Sequence, residues 1–196
     1  TQGSYELRGK VINVSETPNS RLMQNQEIKD ILSSMGLKFG EPPINLRYGK
    51  VLIYSDADPD GDCIAGLLVN FFAKFWPELF DDGRIHRVLT PLVVAHKKNE
   101  DDLWFYTNAE FHKWSEENKS SIASWDIAYK KGLAALDNLA FQKIIQHPKT
   151  IVFDKHDDYR NVLDAWFGPD SEIRKTMILS STTSNESSSD EQDYVV

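Results

Sequence analysis

Cysteine is all but missing from this chain: Cys63 stands alone among 196 residues. That excludes an internal disulfide and any multi-cysteine zinc site, and it fits a reducing, cytoplasmic compartment. Long apolar runs are missing too. Nothing approaches the ~20 residues that a membrane-spanning helix needs, so no membrane partner is expected. The opening residues TQGSYELRGK lack a signal-peptide profile. No Gly-rich loop is present to cradle nucleotide phosphates. Basic charge is scarce as well: 22 Lys+Arg against 30 Asp+Glu give a net charge of −8. This balance argues against a free-standing nucleic-acid binder. Half of the imbalance lies in Ser180–Val196, which carries Glu186, Asp190, Glu191 and Asp193 and no base. Local clusters of cations must therefore decide whether nucleic acid binds.

What is present is a globular balance, 40% hydrophobic and 27% charged. Apolar β-type runs alternate with helical patterns, which predicts an α/β fold with a largely parallel sheet. Strands are expected at Lys10–Val14, Gly49–Ser55, Arg84–Leu89, Leu92–Ala95, Leu103–Tyr106 and Asp126–Tyr129. Ile28, Ile31 and Leu32 recur at helical spacing over Gln26–Met35, with Gly36 just past the end. The run CIAGLLVNFFAKFW is apolar nearly all round and stops at Pro77, as a buried helix packed on a sheet does. Thr107 and Glu110 form a capping box for the next helix, and another is expected over Asp137–His147. Two short helical patterns, near Tyr159–Phe167 and Ser171–Ile178, read as a small appendage. The organisation expected is a domain over residues 1–150, an appendage over 151–179 and a disordered, acidic, Ser-rich tail over 180–196.

The informative constellation is Asp56-Ala57-Asp58-Pro59-Asp60-Gly61-Asp62, set between a buried strand and a buried helix. Residues two apart in extended chain face the same side, so Asp56, Asp58 and Asp60 can converge at the strand's C-terminal end. Carboxylates so close repel one another unless a cation sits among them. Hard oxygen donors favour Mg²⁺ or Ca²⁺ over zinc. A merely solvated helix cap rarely needs four acids. An EF-hand loop needs a Glu at its twelfth position, and counting from Asp56 that residue is Leu67. A catalytic magnesium site is the third reading.

On that reading SDADPDG resembles the DxDxDG motif of the Toprim domain of type IIA DNA topoisomerases. Leu7-Arg8-Gly9-Lys10-Val11-Ile12-Asn13-Val14 is similar to the family's PLRGKxLNV segment, with Glu6 in place of the proline. Asn25-Gln26-Glu27-Ile28 resembles its N-x-E-I helix start, and Leu46-Arg47-Tyr48 precedes the strand as in the family. Trp76-Pro77-Glu78-Leu79 with Gly83, Thr90-Pro91-Leu92, and Lys131-Gly132-Leu133 after Tyr129 resemble its M-P-E-L…G, PPL and K-G-L-G segments. The likeness spans about residues 6–148 in one order. The compact layout resembles the split-subunit enzymes of T-even-type bacteriophages more than cellular gyrase.

The resemblance implies an α/β Toprim fold, Rossmann-like, with helices flanking the sheet. It implies a subunit or segment of an ATP-dependent type II topoisomerase that acts on duplex DNA in the cytoplasm, or the host's if viral. Asp56, Asp58 and Asp60 would hold Mg²⁺, with Mn²⁺ or Ca²⁺ able to stand in. Asp56, Asp58 and Lys131 would be catalytic, and Arg8, Lys10 and Lys131 would contact the DNA backbone. ATP would bind another subunit or domain. The attacking tyrosine would belong to a winged-helix partner, because Tyr54, Tyr106 and Tyr129 fall in strands, where core packing is expected. Tyr5, Tyr48, Tyr159 and Tyr194 lack that context. The family's catalytic Glu, in an EGDSA-like segment, is expected on another subunit or piece, since none precedes Leu7 here. Ala134 replaces the second glycine of K-G-L-G, and Asp62-Cys63 replaces the usual A-H after DG. Two other readings stay open: a non-catalytic Toprim-derived scaffold and a stand-alone Toprim nuclease or primase. The five histidines lack ligand spacing, and Cys63 reads as a small core residue.

Overall fold

The computed structural model describes residues 2–130 and 132–184, with side chains described as far as residue 180. From the N-terminus the elements run α1 (Asn19–Leu22), α2 (Gln26–Met35), β1 (Val51–Tyr54), α3 (Pro59–Phe75), α4 (Glu78–Asp81) and β2 (Ile85–Val88). Then come β3 (Val93–His96), β4 (Leu103–Phe105), α5 (Asn108–Glu117), β5 (Asp126–Tyr129) and α6 (Asn138–Gln146). The last are β6 (Thr150–Val152), α7 (Tyr159–Phe167) and α8 (Ser171–Ser184). The chain forms two compact units. The first holds the residues up to Ser55, Pro59–Val88 and Thr150–Arg174; the second holds Asp56–Asp58, Leu89–Lys149 and the chain from Lys175. Residues 151–174 thus group with the N-terminal segments.

In the first unit β1 and β2 run parallel, in register from Val51↔Ile85 to Tyr54↔Val88, and β6 pairs antiparallel with β2. A parallel pair needs a long crossover, which α3 and α4 supply. The all-round apolar character of α3 is explained by burial of Leu67, Leu68, Phe71 and Phe72. At its end Trp76 is 1% exposed, stacks on Phe39 at 5.7 Å and donates its indole N–H to the Glu41 carbonyl at 3.0 Å. Ile28, Ile31, Leu32 and Met35 form the buried stripe of α2, whose N-cap Asn25 accepts the Ile28 N–H at 3.0 Å.

The strand expected at Lys10–Val14 does not form. Val11 and Val14 are buried as their apolarity requires, but Asn13 diverts the backbone into a turn. Its Oδ1 accepts the Ser15 N–H at 3.1 Å, and its carbonyl accepts the Thr17 hydroxyl at 2.7 Å. Its amide also donates to the Phe167 carbonyl at 2.7 Å, tying the segment to α7. Trp76→Ala, which empties the largest fully buried site, should cost about 3–5 kcal/mol of stability; urea denaturation followed by circular dichroism measures it.

The second unit carries an antiparallel sheet in the order β4-β3-β5. The expectation of a largely parallel sheet therefore holds for the β1–β2 pair and fails for the other pairings. The short link 97–102 can only turn back on itself, and a parallel partner would need a crossover. Val93, Ala95, Phe105 and Phe111 form this unit's core, with Phe105 meeting Phe111 edge-on at 5.4 Å. Tyr129 departs from its expected core role: it is 65% exposed, with its ring edge-on to Phe111 at 5.8 Å. The helix α8 runs on through Ser184, past the expected start of the tail, and the Ser180 hydroxyl bonds back to the Met177 carbonyl at 2.9 Å. The rest of the expected tail lies outside the described residues.

The capping box at α5 is present: Thr107 accepts the Glu110 N–H at 3.0 Å, and Glu110 accepts the Thr107 N–H at 3.2 Å, with the Tyr106 N–H adding a further bond at 2.6 Å. Burial pushes the Glu110 carboxyl up, but the Tyr106 and Thr107 N–H groups and the Lys149 ammonium more than reverse this, leaving it below its ordinary 4.5. A carboxyl lowered in the folded state stabilises fully above its unfolded pKa and loses that contribution as pH falls through the folded one. Glu110→Gln should therefore lower the melting temperature at pH 7, and the difference from the parent should shrink as the pH drops below about 4.5; melting curves across pH 3–7 check this.

Candidate metal centre and nucleic-acid contacts

The acidic loop leaves the end of β1 and enters α3. Asp56 is half-buried, and its Oδ1 accepts the Leu133 N–H at 2.7 Å. A Cβ built on Gly132 would lie 2.8 Å from the Asp56 carboxyl carbon, so only glycine permits this approach. Two segments 77 residues apart, the acidic turn and the K-G-L run, thus meet in the second unit. Asp58 is exposed. Lys131 lies outside the described residues.

In the first unit α3 begins at Pro59, four residues before the apolar run that announces it, so Asp60 and Asp62 sit in its first turn. Acids there are favoured by the helix dipole. Asp60 pairs with Lys10 at 2.7 Å, and that hydrogen bond and charge raise the Lys10 ammonium pKa above its ordinary value. Asp62 pairs with Arg87 at 2.5 Å. Arg8 is exposed, and its backbone N–H donates to Glu27 Oε1 at 3.1 Å. The glutamate of the N-x-E-I segment therefore fixes the backbone that presents Arg8. Sequence reasoning missed this role and the Asp62–Arg87 pair, because neither leaves a periodic signal.

Burial raises the Tyr54 phenol; burial and then the Glu110 charge raise that of Tyr106. Both stay protonated at neutral pH and are poor nucleophiles. His86 is buried between the Thr150 hydroxyl at 3.2 Å and the Gly83 carbonyl at 2.9 Å, while His96 contacts Asp102 at 2.6 Å. Cys63 is half-buried and packs against the core of the first unit. Among the described residues no three His, Cys, Asp or Glu side chains gather as a metal cage. Asp56 and Asp58 nonetheless fit Mg²⁺ by donor chemistry: they offer only carboxylate oxygens, and Mg²⁺ takes one or two carboxylates while keeping several waters.

The profile described as the C-terminal associated domain of TOPRIM matches residues 88–195. The chain belongs to that family. The Toprim chain is 40% identical to human DNA topoisomerase 2-beta over 137 residues, 67% of this chain and 8% of that protein. It is 34% identical to Arabidopsis thaliana DNA topoisomerase 2 over 192 residues, 93% of this chain and 13% of the other. The Plasmodium falciparum topoisomerase II DNA-binding, cleavage and re-ligation domain superposes with a TM-score of 0.76 at 32% identity, covering 87% of this chain and 24% of that one. The resemblance to the Toprim region of type IIA topoisomerases is thereby shown. The Toprim chain spans about a tenth of the length of these two curated relatives. Among its described residues no helix is long and apolar enough to cross a membrane.

Gly132→Ala should push the Asp56 carboxylate away and forfeit about 1 kcal/mol at the Leu133 N–H. Amide exchange at Leu133 should then quicken by roughly fivefold, and unchanged exchange would place the carboxylate elsewhere.

Proposed function

We propose that this chain is the magnesium- and DNA-holding part of an ATP-dependent type II DNA topoisomerase, working in transient double-strand cleavage and rejoining. The observation that carries the reading is the 2.7 Å bond from the Leu133 N–H to Asp56, which joins the DxDxDG and K-G-L segments. Asp56 and Asp58 would hold Mg²⁺, with Mn²⁺ or Ca²⁺ as stand-ins. When bound, the ion offsets negative charge growing on phosphate oxygens. Gly132 and Leu133 orient Asp56 for that task. Asp60 holds Lys10 until a phosphate takes its place. Arg8, Lys10 and Lys131 offer charge-assisted bonds to the DNA backbone.

The remaining chemistry belongs to partners: a winged-helix cleavage subunit with the attacking tyrosine, an ATPase subunit or domain, and a glutamate supplied from outside these residues. The split-subunit layout is part of the same proposal. In a reconstituted enzyme, Asp56→Ala and Asp58→Ala should leave assembly intact and lower DNA cleavage by about 10²–10³-fold. Unchanged cleavage would support a scaffold instead, and metal-dependent phosphodiester hydrolysis by the purified chain alone would support a stand-alone nuclease.

A further inference from the structure

Arg8 lies in an exposed bend of the first unit, residues 8–10. An untethered bend would leave its side chain to be ordered on each phosphate it meets, at a cost in affinity. This bend is tethered along one edge of α2. Leu7 packs against the core and Val11 is buried, which pins both flanks. Between them the Arg8 N–H donates to Glu27 Oε1 at 3.1 Å. One turn further along α2, the Tyr5 hydroxyl donates to Asp30 Oδ2 at 3.3 Å. The Gln26 amide braces Asp30 in turn, donating to its Oδ1 at 2.7 Å. Glu27 is half-buried in the first turn of a helix whose apolar stripe is buried, so the acceptor is held on a rigid element. The bond engages the Arg8 backbone and takes no donor of its guanidinium.

We infer that Glu27, acting through the Arg8 backbone, is a positioning residue that holds the bend in the shape that presents Arg8 to the phosphates of duplex DNA. The inference rests on the proposed DNA contact of Arg8.

Charge and reach can be separated at this position. A negative charge beside a phosphate contact repels DNA, so if Glu27 acted by its field alone, removing the charge would tighten binding. A Glu27 that positions Arg8 strengthens binding through its reach instead. The test is titration of a short fluorescein-labelled duplex with the full chain at one low salt concentration, followed by fluorescence anisotropy, with circular dichroism reporting the fold. Glu27→Asp keeps the charge but, one methylene shorter, falls short of the Arg8 N–H, and should weaken binding about fivefold. Aspartate also suits the first turn of a helix, so the fold is retained. Glu27→Gln keeps the reach and an acceptor oxygen without the charge, and should bind as tightly as the parent or more tightly. In an Arg8→Ala background Glu27→Asp should cost little more, because both changes act on one contact. Unchanged binding in Glu27→Asp, an equal loss in Glu27→Gln, or an undiminished loss in the Arg8→Ala background would overturn the positioning role. A parent chain that binds no duplex, or whose binding is unmoved by Arg8→Ala, would instead reject the DNA contact and the inference with it.

Discussion

Burial of α3 is the constraint on which the rest depends. A helix apolar nearly all round must be covered on most sides: the buried residues of α3 share one core with the α2 stripe, β1, β2 and the aromatic cluster around Trp76, and α7 packs on it with Phe167 against Gly66. Once that helix is fixed, its first turn is fixed, and so are the positions of Asp60 and Asp62. The charged end of the helix therefore inherits its geometry from hydrophobic packing. The ion pairs to Lys10 and Arg87 refine a placement that the core has already imposed.

Packing and electrostatics divide the work between the two ends of α3. The buried face keeps one polar side chain, Asn70, whose amide is answered by Asn13 and Ser15, while Lys74 in the last turn is exposed. The exposed end gathers acids and is kept in order by cations from two separate segments. Asp56 is different again, since its partner is a backbone N–H made reachable by the missing side chain of Gly132.

The periodic elements were legible in the sequence. The α2 stripe, the apolar run of α3, the alternating strands and the Thr107–Glu110 box each carry a local signal strong enough to name them. Lys10–Val14 misled because Val11, Ile12 and Val14 are β-branched strand formers, while Asn13 prefers side-chain bonds to a ladder. Three-residue β6 was too short to announce itself, and the antiparallel β3–β4 pairing is decided by the short link 97–102 rather than by composition. At the candidate site the residue types were readable, but their partners were not. The bonds Asp56–Leu133, Arg8–Glu27 and Asp62–Arg87 join residues distant in sequence, and single-chain patterns carry no record of such meetings.

The path of the chain through the first sheet has a consequence for how the molecule can be rearranged. Val88 at the end of β2 stands opposite Thr150 at the start of β6, and the Leu89 N–H bonds the Lys149 carbonyl at 2.9 Å. The polypeptide thus departs and returns through neighbouring residues, as in a hairpin whose tip has been expanded into residues 89–149. A reverse turn bridging Val88 and Thr150 would preserve every ladder of the first sheet, so the first sheet closes without threading through that stretch, although its removal would also take away the Leu133 N–H that Asp56 accepts.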